Sequence, residues 1–429
     1  MSLRRKLLFV IPLAIALAIA GCKVSTINYF PPHPAQVRVL NLMPDAPSVD
    51  VTINGAVAFT NVAFEQSTGY QNYDNQTTTI SVNLTGSTAT LASFTYPLAG
   101  EQPYTVLLFG STLSPQITMV AEVASAPTNG NIQLSVFNAA QNNATVDIYV
   151  TAPGADISGL NPNYFGVTFG GSTFNLAFPP GTYQVQMTQN GTKSVIYDSG
   201  GSALTPNVAL SLIPYMRGSG TLVNAAVLQS RGPIGLLPSI FARIKAVNAA
   251  PNAGPVNQLF STFPVNFNVN FASASAYTLI PQGATTVNFE ASATPGATIA
   301  STPATIGPAT DVSTFIAGLP GSQQAYVLND VNLPLSTGAD RLRFVNASWN
   351  SNPVNVAVNG TQLASNIAFP NASAYVQTAA ATVTITFTDA VTGAVVATQD
   401  NIVLTANQTS SVYLIGPAGA QGILVTQDN

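Results

Sequence analysis

The sequence predicts an all-β protein of four tandem antiparallel β-sandwich domains. Short stretches alternate apolar and polar residues with a period of two, as strands do when one face is buried. Turn residues such as Gly, Pro and Asn separate these stretches at short intervals. One stretch, residues 37–70, returns three more times, beginning near Leu134, Ile244 and Leu342. The repeat indicates one fold used four times.

Length and composition limit the classes of function. A chain of 429 residues suits three or four domains at ~100–150 residues each. Only 7% of residues are charged, while 46% are hydrophobic, so the chain is not of the disordered class. The formal net charge is −4; removal of three basic residues with the leader leaves 9 basic and 16 acidic residues, or −7. An acidic chain without basic clusters argues against nucleic acid as a partner.

Residues 1–21 are predicted to be a lipoprotein signal peptide. A basic group at residues 4–6 precedes an apolar run at residues 7–20, which is shorter than the ~20 residues of a membrane span. The run ends I-A-G-C, which resembles a bacterial lipobox. This predicts cleavage before Cys22 and attachment of diacylglyceryl and palmitate-type acyl chains there. The alternative is an ordinary signal peptide followed by an incidental cysteine.

Residues 22–36 are predicted to be a lipidated, proline-rich tether. Pro31, Pro32 and Pro34 favour an extended spacer between the membrane and the first folded unit. Cys22 is the only cysteine in the chain, which excludes an intrachain disulfide. By analogy with Gram-negative lipoproteins, Lys23 favours the outer membrane. The predicted location is therefore the bacterial cell envelope, lipid-anchored, with the units facing the periplasm or the surface.

Four units follow the tether. Unit one opens with the strand V-R-V-L-N, turns at residues 43–47, where two prolines block a helix, and makes a hairpin at Asn54-Gly55. Asn-Gly fits a type I′ turn because both positions need positive φ. About seven short strands per unit predict an Ig-like β-sandwich. The predicted units span residues 37–125, 131–229, 241–338 and 340–429, with linkers at 126–130 and 230–240.

A fixed spacing supports the repeat. Each unit ends its first strand at an asparagine, and nine residues later places an Asp or Asn directly after a Val. The first set is Asn41, Asn138, Asn248 and Asn346, and the second is Asp50, Asp147, Asn257 and Asn355. Three units also share a six-residue separation between aromatic residues: Phe64…Tyr70, Phe271…Tyr277 and Phe369…Tyr375. In unit two the pair is Phe169…Phe174.

These residues resemble a known family. The block V-R-V-L-N-L-M-P-D-A-P-S-V-D-V-T-I-N-G and the seam at residues 328–346 are similar to the bacterial domain of unknown function numbered 4397. The resemblance covers nearly all of residues 37–429. It implies exported, often lipid-anchored envelope proteins with Ig-like β-sandwich repeats, and it brings no catalytic residues. Units two and three lack the P-D-A-P turn.

The sequence argues against most catalytic chemistries. The only histidine, His33, lies in the proline-rich tether, where an oriented catalytic imidazole is not expected. The only cysteine is the predicted anchor. Phosphate-binding and nucleophile-elbow motifs are absent from the sequence. We therefore predict no enzymatic activity and no cofactor, with a carboxylate-based hydrolase as the least favoured alternative, because the 16 acids are scattered.

Calcium is the one metal that the sequence leaves open. Asp45 and Asp50 flank one turn, and Asp147 repeats the second position. Calcium prefers six to eight oxygen ligands, several of them carboxylates. The alternative is that these side chains cap turns by accepting hydrogen bonds from the backbone, which Asn does as well as Asp. The exchange of Asp for Asn between units favours the caps.

The positions of the remaining aromatic residues predict where they pack. Tyr70, Tyr277 and Tyr375 recur at one position and are expected to be core or corner tyrosines. Trp349 is expected to pack at a domain junction, with an exposed ligand-stacking role as the alternative.

The predicted function is a non-enzymatic envelope protein that binds or displays. Alternatives are a surface adhesin for a glycan or matrix protein, and a periplasmic structural or assembly factor.

Overall fold

The structure is a computed structural model of the chain. It describes residues 33–428 apart from 47, 124, 126, 129, 218–221, 334 and 336–338. In these residues the chain forms 35 β-strands and no helix, which confirms the predicted all-β class of tandem β-sandwiches. The predicted signal peptide, Cys22 and most of the tether lie outside the described residues.

The first unit has two sheets. The sheet that contains the first strand of a unit is here called its first-strand sheet, and the opposite one its hairpin sheet. The strands are β1 (Ala35–Asn41), β2 (Ser48–Ile53), β3 (Ala56–Ala63), β4 (Gln66–Ser67), β5 (Gln71–Tyr73), β6 (Thr77–Leu84), β7 (Thr90–Pro97), β8 (Pro103–Ser111) and β9 (Ser114–Ala121). The first-strand sheet has the order β4-β1-β8-β9, with β5 also paired to β1, and the hairpin sheet has the order β3-β2-β6-β7.

The second unit repeats this plan, and its first-strand sheet also has five strands. Its strands are β10 (Ile132–Val136), β11 (Thr145–Thr151), β12 (Tyr164–Thr168), β13 (Leu176–Phe178), β14 (Gly181–Gln189), β15 (Val195–Leu204), β16 (Ala209–Met216), β17 (Val223–Gln229) and β18 (Ile234–Leu237). The sheet orders are β13-β10-β16-β17-β18 and β12-β11-β14-β15. Because β18 pairs with β17, the second unit extends into residues 230–240, for which the sequence suggests a linker.

The third and fourth units follow the same order. The third contains β19 (Phe241–Asn248), β20 (Val256–Phe260), β21 (Phe263–Val269), β22 (Ser273–Ala274), β23 (Thr278–Pro281), β24 (Gly283–Ala291), β25 (Thr298–Ile306), β26 (Asp311–Ala317) and β27 (Gln324–Asp330). The fourth contains β28 (Ala339–Asn346), β29 (Val354–Val358), β30 (Thr361–Ile367), β31 (Val376–Ala379), β32 (Thr382–Asp389), β33 (Val395–Val403), β34 (Thr409–Ile415) and β35 (Gly422–Gln427).

Each unit contains one parallel strand pair, whereas the sequence predicts antiparallel sheets. The first strand of every unit pairs in parallel with a strand near the end of the unit: β1 with β8, β10 with β16, β19 with β26 and β28 with β34. Parallel neighbours need a long crossover connection. Here the intervening strands of the hairpin sheet supply it, so the first strand lies in the centre of its sheet.

Strand periodicity explains the four cores. In β2 the side chains of Val49, Val51 and Ile53 are buried while the alternate residues are partly exposed. In β1, by contrast, nearly every residue is buried. Val37 and Val39 point into the core of the first unit, whereas Leu40 belongs to a second buried cluster outside it. The first-strand sheet is therefore covered on both faces.

The neighbouring unit buries the outer face of each first-strand sheet. Units one and two pack their first-strand sheets face to face, and units three and four do the same. The first junction buries Leu40, Leu42, Leu107, Phe109, Phe137, Ala139, Ile213, Tyr215, Ala226 and Leu228. The second junction buries Val247, Ala249, Phe315, Ala317, Val345, Ala347, Tyr413 and Ile415. Aromatic rings meet edge to face across both, with centroids 5.2 Å apart for Phe109 and Phe137 and 6.2 Å apart for Phe315 and Tyr413.

Candidate functional site

The repeated asparagine at the end of each first strand is a structural clamp. In the third unit, Nδ2 of Asn248 donates to the carbonyl oxygens of Gly254 and Val269, both at 3.0 Å, and its Oδ1 accepts from the backbone N–H of Ala250 at 3.1 Å. Asn41, Asn138 and Asn346 make the corresponding bonds to the hairpin and to the turn in their own units. All four side chains are fully buried. Their hydrogen bonds commit them to the fold rather than to ligand chemistry.

The Asp or Asn nine residues later caps a bulge in the hairpin. Asp50 accepts from the backbone N–H of Asn61 at 2.8 Å, and Asn355 accepts in the same way from Asn366 at 2.9 Å. Both donors have positive φ. The hydrogen bond from Asn61 lowers the pKa of Asp50 below its usual value.

The three calcium candidates lie against protein donors. Asp45 accepts from the backbone N–H and the hydroxyl of Thr112, at 2.8 Å and 2.6 Å to Oδ2. Asp147 accepts from the backbone N–H groups of Gly166 and Gly191, both at 2.8 Å. Within the described residues no group of three or more His, Cys, Asp or Glu side chains is placed to hold a metal ion. Calcium binding stays an untested prediction, and the observed bonds are those expected of caps.

The three recurring tyrosines lie beside the junctions rather than in the sandwich cores. Each is half-buried and covers a basic side chain on the first strand of its unit. The guanidinium carbon of Arg38 lies 4.6 Å from the ring centre of Tyr70, and that of Arg343 lies 5.0 Å from the ring centre of Tyr375. Tyr277 covers both Arg243 and Lys245, each at 4.9 Å. Burial raises the pKa of all three hydroxyls, so they stay neutral hydrogen-bond donors at neutral pH.

Buried ion pairs cross the second junction in both directions. Lys245 of the third unit pairs with Asp428 of the fourth. Reciprocally, Arg343 of the fourth unit pairs with Asp330 of the third, with 2.7 Å between Nη2 and Oδ1. All four side chains are almost fully buried. Breaking a buried pair leaves an uncompensated charge, so loss of either partner is expected to destabilise this junction.

Trp349 packs at the edge of the second junction, which agrees with the predicted packing at a domain junction. Its ring meets Phe369 edge to face at 5.4 Å, and Phe369 in turn contacts Tyr326 at 5.5 Å. Trp349 is half-buried. This contact places it with the packing of units three and four rather than in an open aromatic platform.

An open groove in the second unit is a feature that sequence reasoning missed. It has a volume of about 400 Å³ and lies between β12, an edge strand of the hairpin sheet, and residues 171–174, which lead into β13. Phe165 and Phe174 border it with 74% and 71% of their surface exposed. None of the described residues that line it has an acidic or basic side chain. A sequence signal existed, because Phe174 ends the aromatic pair that has a shorter spacing than in the other units.

A family model matches most of the chain. The family is described as a domain of unknown function, DUF4397, and the matched residues are 35–149, 242–357 and 341–429. The chain belongs to this family. The match confirms the resemblance drawn from the first block and the seam. Two of the ranges begin at a first strand and end in the second strand of the following unit, so the matched length spans a junction.

Curated proteins and solved structures are less similar to the chain than the family model is. No curated protein matches the chain. A solved α-glucan-binding streptococcal virulence factor is 8% identical, with 42% of this chain and 93% of that one covered, at a TM-score of 0.17. The family CBM26 module of Eubacterium rectale Amy13K, solved with maltoheptaose, is 12% identical over 44% and 95%, at 0.16. The Bacillus anthracis TIE protein is 9% identical over 88% and 69%, at 0.16. Similarity at these TM-scores carries no argument about ligand or role.

The described part of the chain also lacks any helix that is both long enough and apolar enough to span a bilayer.

Proposed function

We propose that this chain is a lipid-anchored, non-enzymatic protein of the bacterial cell envelope that binds or displays through its paired β-sandwich units. The anchor would be Cys22, at the end of a leader with a basic start and a short apolar run. Several acyl chains together hold a protein stably on a bilayer.

The observation that best supports a binding or display role is the pairing of unit one with unit two and of unit three with unit four. Each junction buries a contiguous apolar cluster, and buried ion pairs cross the second one. Units held in this way present their loops and edge strands at fixed positions relative to one another. That property suits a protein that displays a surface, and catalysis does not require it.

Membrane anchoring is tested by Cys22→Ser in the full chain. Without the thiol no diacylglyceryl group is added, so the variant is expected in the soluble fraction and without incorporated radiolabelled palmitate. Ser25→Ala, three residues further along the tether, is the matched control and should remain in the membrane fraction. Retention of Cys22→Ser on membranes after high-salt and carbonate washing would show that the anchor is something else.

A further inference from the structure

The groove of the second unit has the composition of a binding site rather than of a packing defect. Phe165 and Phe174 stand at its border, and Phe174 rests on the buried ring of Tyr164, with centroids 6.4 Å apart. Asn163, Thr168 and Ser172 add polar groups that are at least partly exposed. Oδ1 of Asn163 accepts from the backbone N–H of Val150 at 2.7 Å, and its Nδ2 is a further hydrogen-bond donor on this exposed residue.

The repeat itself shows that the fold does not require these two phenylalanines. Phe165 directly precedes the bulge residue Gly166, whose N–H is capped by Asp147; the corresponding residues before the bulge are Thr60, Phe267 and Ser365. Phe174 directly follows Thr173, whose hydroxyl accepts from a first-strand N–H; its counterparts are Gly69, Ala276 and Ala374. Only the second unit has aromatic residues at both positions.

The fourth unit provides the clearest contrast. It has a groove at the same place, lined among others by Ser365 and Ala374. The same backbone therefore folds around small side chains. In the second unit, two large apolar rings face solvent instead, against the usual tendency of phenylalanine to be buried. Two exposed rings that border one groove, at positions that the fold leaves free, indicate a ligand site.

The lining also restricts the ligand. A charged ligand would find no compensating charge on the lining, because none of the lining residues in the described part of the chain is acidic or basic. An added peptide strand is disfavoured as well. The edge strand β12 is interrupted by Gly166 at φ +65°, and β13 is only three residues long. Bulged and short edges are those that resist strand addition.

A neutral glycan fits what remains. A neutral pyranose has an apolar face of C–H groups that matches an aromatic ring, and a rim of hydroxyls that pairs with amides and hydroxyls. A groove of about 400 Å³ falls within the usual range for small-ligand sites, about 300–1,000 Å³. We propose that this groove binds sugar residues of a neutral glycan, with Phe165 and Phe174 as the stacking surfaces. The proposal rests on the binding role proposed above and names the site.

The test is affinity electrophoresis of the detergent-solubilised full chain in gels that contain dextran, xylan, mannan or starch, with polygalacturonate as an acidic polymer. Retardation is expected with at least one neutral polymer and not with polygalacturonate. The double substitution Phe165→Ala/Phe174→Ala should weaken that retardation by about tenfold or more, as loss of central aromatic contacts does. Phe263→Ala, which removes an exposed ring elsewhere, is the control and should bind as the unmodified protein does.

A gain-of-function variant makes the test sharper. Ser365→Phe/Ala374→Phe places both rings in the equivalent groove of the fourth unit and should increase retardation by the same polymer. The proposal is overturned by absence of retardation on all neutral polymers, by binding of polygalacturonate alone, or by binding that survives the double alanine substitution. It is also overturned if that substitution converts a dimer into a monomer, because the groove would then hold a second copy. Each of these results leaves the membrane-release experiment unaffected.

Discussion

At the scale of single residues, the buried asparagine at the end of each first strand joins separate pieces of backbone. In the fourth unit, Asn346 accepts from the N–H of Ser348 at 3.2 Å and donates to the carbonyl oxygens of Ile367 and Asn352, at 3.0 and 3.4 Å. A buried backbone group that loses its partner keeps its full desolvation cost. The asparagine therefore holds the turn after the first strand against the hairpin of the opposite sheet.

We expect Asn346→Leu to lower the free energy of unfolding by about 2–3 kcal/mol, because three backbone groups lose their partner. Urea denaturation followed by circular dichroism measures this change. Gln362→Ala, an exposed position on β30, is the control and should change stability by less than about 0.5 kcal/mol. Equal effects of the two substitutions would contradict the clamp.

Asp340 is fully buried and has an Oδ1 without a hydrogen-bond partner in the described part of the chain. Burial raises the pKa of this carboxyl to about 6. The folded state thus binds the proton more tightly than the unfolded state. Stability from this group is greatest below the ordinary pKa of 3.8 and is lost as the pH rises to about 6.

We therefore expect Asp340→Asn to be more stable than the unmodified chain at pH 7, by on the order of 1 kcal/mol. The difference should shrink as the pH falls from 6 to 4, since the unmodified carboxyl becomes neutral. Urea midpoints of both proteins across this range give the measurement. A difference that is independent of pH would show that Asp340 does not titrate there.

At the scale of elements, the hairpins are the part that the sequence predicted best. Asn54-Gly55 and Asn359-Gly360 both adopt positive φ at both positions, as a type I′ turn requires. Two residues of suitable type specify this turn without help from the rest of the molecule. By contrast, β4 has two residues and β5 has three, and they exist only because β1 offers them a neighbour. Such short strands have no sequence pattern of their own.

We expect Gly360→Val to cost about 1–2 kcal/mol, because Gly360 has φ +79° and a β-branched residue is strained there. Gly235→Ala is the matched control. A Cβ added at either glycine would meet open space, but Gly235 has an ordinary φ, so its substitution should be nearly neutral. Thermal unfolding of the two variants separates backbone strain from crowding. A neutral Gly360→Val would mean that the turn rearranges.

At the scale of the whole molecule, the pairing of units could not be predicted from the sequence. Leu40 lies in a short apolar stretch that could be assigned only to a strand, not to a junction. The reciprocal pairs of Lys245 with Asp428 and Arg343 with Asp330 join residues of different units. Contacts of this kind depend on how two finished surfaces meet. The same holds for the groove, whose border is recognised only when exposure is known.

We expect Arg343→Met to loosen the second junction, because it leaves Asp330 buried without its partner charge. Hydrogen exchange should become faster in β26 and β34, the central strands of the two facing sheets, while the hairpin sheets keep their protection. Lys193→Met removes an exposed cation in the second unit and should leave exchange at this junction unchanged. Unaltered exchange in Arg343→Met would show that the apolar cluster alone holds the units together.

A display role at the cell surface requires the paired units to lie outside the outer membrane. It is tested most directly by protease treatment of intact cells that express the full chain, followed by immunoblotting for the fourth unit. With surface display, we expect the four units to be lost from intact cells while a periplasmic marker survives. Full protection in intact cells, together with digestion after the outer membrane is opened, would contradict surface display and would favour a periplasmic structural role.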